Sequence, residues 1–142
     1  MAALRVARNT RNKSRGAAII EMAIVLPLLL LLTMGLIEYG WMVMKQSELS
    51  DVTRYAARAA ALPNATNALV LADVSTAMIS DNLGGSGYTV TMDPANVAGV
   101  ASGQPLKVTI SVPYANIGLL NTPFIPVPTN LSASVTMAKE GP

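Results

Sequence analysis

The sequence contains no cysteine and no histidine. Thiol nucleophiles, disulfide scaffolds and imidazole general bases are therefore all missing. Zinc could be held only by carboxylate or backbone oxygens, which argues against a zinc finger or a His-based metallohydrolase. Charged residues make up only 13% of the chain and aromatics 4%, against a hydrophobic fraction of 51%. A disordered chain has the reverse balance. This composition is that of a membrane-attached protein, whose 142 residues leave room for one small domain.

Acids are absent from one stretch in particular. Half of the ten Lys and Arg residues (Arg5, Arg8, Arg11, Lys13 and Arg15) precede Gly16 with no Asp or Glu among them, and the other half stand against all eight acids. The net charge of +2 is thus the property of a leader, and the rest of the chain is net acidic. Nucleic-acid recognition would need bases spread over a folded face with aromatics among them. Beyond residue 60 only Lys107 and Lys139 remain, so no nucleic-acid partner is expected.

Residues 17–44 carry only two charged side chains, Glu21 and Glu38. As a helix this stretch is about 42 Å long, more than the roughly 30 Å hydrocarbon core of a bilayer. It is expected to cross a membrane once, with the basic leader retained in the cytoplasm and the remainder exported. A cleaved secretory signal is the competing reading. The apolar run is too long for it and lacks a small-residue cleavage site, so a retained anchor is favoured, with Tyr39 and Trp41 as aromatic anchors at the outer interface. Glu38, beside that belt, is expected to be interfacial.

Glu21 needs more explanation. Near the start of the apolar run an unpaired carboxylate costs on the order of 2.5–3.5 kcal/mol even on the lenient insertion scale. Either it reaches water at the cytoplasmic interface, beside Arg15, or a protein partner supplies a positive group within the membrane. Pro27 removes one backbone donor and presses on the carbonyl of Ala23, so a kink or local melting is expected there.

Taken together, Arg15-Gly16-Ala17-Ala18-Ile19-Ile20-Glu21-Met22-Ala23-Ile24-Val25-Leu26-Pro27, the Leu-rich run, Gly35-Leu36-Ile37-Glu38-Tyr39-Gly40 and Thr53-Arg54-Tyr55-Ala56-Ala57-Arg58-Ala59-Ala60 resemble a type IV prepilin. More narrowly, they resemble the TadE-like pseudopilins of the tight-adherence (Flp pilus) system. The resemblance is close over about the first 60 residues and general in character beyond them. It implies that a prepilin peptidase cuts after Gly16, so that Ala17 becomes the amino terminus and Glu21 the fifth residue of the mature chain. The new amine, of the same subunit or its neighbour, would then pair with Glu21 in a low-dielectric bundle. It further implies other pilin or pseudopilin subunits, an inner-membrane assembly platform and the lipid bilayer as partners. The major Flp pilins are little more than the helix. An exported domain of this size therefore points to a minor or accessory pilin.

Helical spacing of Leu49, Val52, Ala56 and Ala59 or Ala60 extends the first helix over residues 45–62, until Pro63-Asn64 stops it. Its Ala-rich face can pack on the exported domain, the favoured partner, or on another pilin helix. Asp51 and Arg54 are spaced to interact. A second helix is expected over 66–82, and period-two patterns over 88–92, 106–112 and 131–137 predict strands with one apolar face each. The fold class is therefore α+β: a long amino-terminal transmembrane helix continuing into a small exported domain with a second helix and a three- to four-stranded antiparallel sheet, pilin-like by the resemblance. The expected organisation is a basic leader over 1–16, a transmembrane helix over 17–44, its exported continuation over 45–62 and a periplasmic domain over 63–142. Prolines 123, 126 and 128 make 114–130 a loop over the sheet edge, or else a docking surface, with Phe124 and Ile125 needing cover.

No catalytic constellation emerges. Gly84-Gly85-Ser86-Gly87 lacks the Lys and Ser/Thr of a phosphate-binding loop. Asp73 and Asp81 read as solvated, and a calcium site at Asp81 and Asp93 lacks ligand density. Asn64 and Asn130 match the glycan acceptor pattern by chance, and Tyr39, Tyr55, Tyr88 and Tyr114 have no stacking arrangement. The expectation is no enzyme activity, no cofactor and no metal. The predicted protein is a single-pass inner-membrane pseudopilin or minor pilin, with its domain in the periplasm or carried into a surface pilus. The alternative is a signal-anchored periplasmic binding or scaffold module outside any pilus.

Overall fold

The computed structural model describes residues 11–141, with side chains from Gly16 onward. The first ten residues of the expected leader, with Arg5 and Arg8, lie outside the described residues, as do the side chains of Arg11, Lys13 and Arg15. The chain divides into two compact units, Met1–Ile37 and Glu38–Pro142. The helix α1, Arg11–Ala61, runs through the boundary and is helical through Pro27.

In the first unit every large apolar side chain from Ile19 to Ile37 is exposed. Among the described residues one helical stretch, within Gly16–Ala61, is long and apolar enough to cross a membrane, with a mean hydropathy of 2.4. Residues 16–37 measure about 33 Å along a helix, close to the hydrocarbon thickness. Leaving this much apolar surface in water costs about 25 cal/mol per Å², so a bilayer or a helix bundle is its natural surrounding.

The second unit is an α+β domain. Its core stripe on α1 comprises Leu49, Val52, Ala56, Ala57 and Ala60, all buried. These join Val70, Val74 and Met78 of the second helix, α2 (Asn67–Ser80), in one hydrophobic cluster with the sheet. The Ala-rich face is thus packed within the domain. The sheet is an antiparallel meander of β1 (Thr89–Asp93), β2 (Pro105–Pro113) and β3 (Asn130–Ala138), with β2 central. Val90 pairs with Ile110, and Ile110 with Ala133, so the apolar rows align across all three strands. Leu106, Val108, Ile110 and Val112 are fully buried, as the alternation requires, while Thr89, Thr91, Ser132 and Ser134 face water.

Both ends of α2 are closed by local chemistry. Thr66 Oγ1 accepts from the Leu69 amide at the start of α2 (3.4 Å). At its end Asn82 takes φ = 55°, a left-handed turn that asparagine tolerates. The amides of Asn82 and Leu83 then donate back to Ile79 O (3.1 Å) and Met78 O (2.7 Å), a pairing that buries Leu83 and Met78 together. The last carbonyls of α1 are met from far along the chain. Lys139 Nζ donates to Ala60 O (3.1 Å) and Leu62 O (2.7 Å), and the Glu140 amide to Ala61 O (2.8 Å).

Candidate functional site

Six residues with assigned roles lie on α1, and their surroundings fall into two kinds. Gly16, Ala17 and Glu21 are exposed on helical backbone, and a methyl group added at Gly16 would meet no atom within 4 Å. Pro27 is exposed on the same face-free stretch, where Thr33 Oγ1 donates to Leu29 O (2.8 Å) one turn back. Tyr39 and Trp41 belong to the folded domain instead. The Tyr39 hydroxyl donates to Pro126 O and Trp41 Nε1 to Ile117 O, each at 2.7 Å. The ammonium of Lys45 lies 5.1 Å from the Trp41 ring centroid and 2.7 Å from Glu48 Oε2. Such stacking holds the indole in place.

Glu38, expected to stand at the interface beside the aromatic residues, is enclosed by the domain itself. It is 1% exposed. Its Oε1 accepts from the Tyr114 hydroxyl at 2.6 Å and its Oε2 from the Leu120 amide at 2.8 Å. A buried carboxyl group is tolerated only with such donors, and here both oxygens have one. The loop approaches closely at Gly118: a Cβ there would force the Asn121 side chain to shift and would lie 3.2 Å from Glu38 Oε1. Asn121, at φ = 46°, also donates from its amide to Ala115 O (3.1 Å) and Gly118 O (3.4 Å), which closes the loop on itself. The Tyr114 hydroxyl is pushed far above the ordinary tyrosine pKa, first by burial, then by its hydrogen bond to Glu38 and by that group's charge.

Sequence reasoning missed Glu38, Tyr114, Gly118 and Lys139 as structural partners. One signal was available. Glu38, Met42, Lys45, Leu49, Val52 and Ala56 alternate spacings of four and three, so the core stripe extends backward through Glu38. Tyr114 and Lys139 carried no comparable signal, because their partners lie more than seventy residues away. Phe124, expected to need cover, is 77% exposed, whereas Ile125 is buried.

The arrangement binds one part of the chain to another. Among the described residues no three His, Cys, Asp or Glu side chains gather as metal ligands. An open depression of about 780 Å³ beside β1 and β2 has Asp93 and Lys107 as its charged lining groups, with Thr136 opposite Lys107. Fold and site together define a protein with one apolar helix suited to a membrane and a small α+β domain secured to that helix's continuation. Residues 16–58 match the family model described as TadE, TadE-like protein. The match begins at Gly16 and ends at Arg58, within α1. No curated protein and no solved structure matches the chain.

Proposed function

We propose that the chain is a non-enzymatic pseudopilin or minor pilin of a tight-adherence (Flp) pilus system, anchored in the bacterial inner membrane by α1 and carrying its α+β domain on the periplasmic side. The observation that carries this reading is the coincidence of the TadE-like match with a stretch of α1, from Ile19 to Ile37, whose large apolar side chains are all exposed. A prepilin peptidase is the first partner, cutting between Gly16 and Ala17. In helical form Gly16 is about 1 kcal/mol less favourable than alanine, so local unwinding for entry into a peptidase site is easiest there. Cleavage removes the leader's positive charges and leaves a cationic amine at Ala17. That amine, in the same subunit or a neighbour, is the counter-ion for Glu21, whose carboxylate is otherwise solitary in hydrocarbon. The exposed Leu-rich surface packs against other pilin helices once the subunit leaves the bilayer for an assembly platform or filament.

The test is the intact mass and amino-terminal sequence of membrane-extracted protein, with and without the cognate prepilin peptidase. A peptidase-dependent start at Ala17 is expected, together with normal cleavage but failed subunit association for Glu21→Ala. A start at Met1 in the presence of active peptidase leaves the signal-anchored periplasmic module as the better account.

A further inference from the structure

We propose that the loop from Ile117 to Val127 lies in the headgroup interface of the bilayer that α1 crosses, with Phe124 inserted among the lipids and Leu119 and Val127 at its rim. Phe124 is the chain's single phenylalanine and, at 77%, the most exposed large apolar side chain among the described residues, ahead even of the apolar helix itself. Leu119 and Val127 are exposed beside it in sequence. A domain in water would bury such a group, as it does Ile125.

Connectivity supplies the location. The loop is bonded to α1 at three points, through Glu38, Tyr39 and Trp41, which follow directly on the apolar stretch that ends at Ile37. Helical side chains lean toward the helix amino terminus, so the atoms that hold the loop lie on the membrane side of their own Cα positions. The loop is therefore tied to the residues that directly follow the apolar stretch.

Its chemistry suits the headgroup interface. Between Lys107 and Lys139 there is no charged side chain at all, so nothing in the segment resists partial desolvation. Pro123, Pro126 and Pro128 have no amide hydrogen to leave unsatisfied in a medium poor in acceptors. Aromatic and leucine side chains at a bilayer interface bind through buried apolar area. The domain would then rest on the membrane through this loop, restricting its swing about the anchor.

The inference rests on membrane insertion of α1 and not on the pilus role. Because the chain has no native cysteine, Phe124→Cys, Leu30→Cys and Ala98→Cys can each be labelled singly with an environment-sensitive nitrobenzoxadiazole fluorophore in the full chain, reconstituted in phosphatidylethanolamine–phosphatidylglycerol vesicles. Ala98 lies in the β1–β2 connection, at the end of the domain where β2 begins, whereas the loop follows the end of β2. The expected result is blue-shifted emission, quenching by headgroup-level nitroxide lipid and protection from iodide at position 124, with the opposite behaviour at 98. A lipid-embedded label at 30 with an iodide-accessible label at 124 overturns the proposal and leaves the anchor intact. Protection at 124 without lipid quenching also overturns it, because a protein surface then covers the loop. An iodide-accessible label at 30 removes the anchor reading itself, and this inference with it.

Discussion

Glu38 is the residue on which the domain's attachment to its own helix turns. Removing its side chain orphans the Tyr114 hydroxyl and the Leu120 amide, and each unsatisfied buried group costs about 1–3 kcal/mol. Glu38→Ala is therefore expected to lower the urea midpoint of the detergent-solubilised protein sharply, and Glu38→Gln, which keeps the shape and one acceptor, less so. Tyr114 adds a pH dependence. Its folded pKa is raised above the ordinary value of about 10, so its contribution to stability is complete below that pH and is lost as the unfolded chain's phenol ionises above it. Tyr114→Phe should flatten the alkaline loss of stability between about pH 10 and 11, measured by urea unfolding at each pH, while weakening the protein at neutral pH. A phenylalanine variant that falls away above pH 10 as steeply as the parent would show that another group governs that limb.

At the scale of elements, the carboxyl end of α1 is completed by a strand end rather than by its own sequence. Arg58, the basic residue of its last turn, is exposed, and the carbonyls of Ala60 and Leu62 are instead met by the buried ammonium of Lys139 just past β3. A positive charge at this end also opposes the helix dipole. Lys139→Met preserves length and apolar bulk but leaves two carbonyls without that donor. A loss of about 1–3 kcal/mol in unfolding free energy is expected, with faster amide exchange concentrated in the last turn of α1. Exchange that rises uniformly across the domain would argue against this local role. The central strand β2 needs no such help: its alternation of Leu106, Val108, Ile110 and Val112 with Lys107, Thr109 and Ser111 is complete in sequence and matches its burial.

For the molecule as a whole, the boundary between Ile37 and Glu38 predicts where the chain can be cut. A fragment beginning at Ile37 retains every bond from Glu38, Tyr39 and Trp41 to the loop, together with the whole core cluster. It should be soluble and unfold cooperatively in urea. A fragment beginning at Gln46 retains Leu49, Val52 and the alanines but loses those bonds and the Lys45–Trp41 contact. It should unfold at lower urea, with the loop proteolysed first. Equal midpoints for the two fragments would mean that the loop is ordered without the helix. Processing at Gly16 is the separate test of what the amino-terminal helix does in the cell.

Features that depend on near neighbours and composition are legible in the sequence: an apolar helix able to span a bilayer, an α+β domain after it, the second helix and three strands within a residue or two of their ends, and the stretch from Gly16 to Arg58 that matches the TadE-like model. Each follows from periodicity, turn chemistry or residues adjacent in the chain. The partners of the polar groups are not legible there and come from folding alone. Glu38 reads as interfacial from its place beside Tyr39 and Trp41, and its donors at Tyr114 and Leu120 come from a loop that folding brings back to the helix. Lys139 and the helix end it caps, Trp41 and Ile117, and Tyr39 and Pro126 are pairings of the same kind. A hydrogen bond needs its two atoms within about 3 Å, and no local pattern fixes a distance between residues this far apart along the chain.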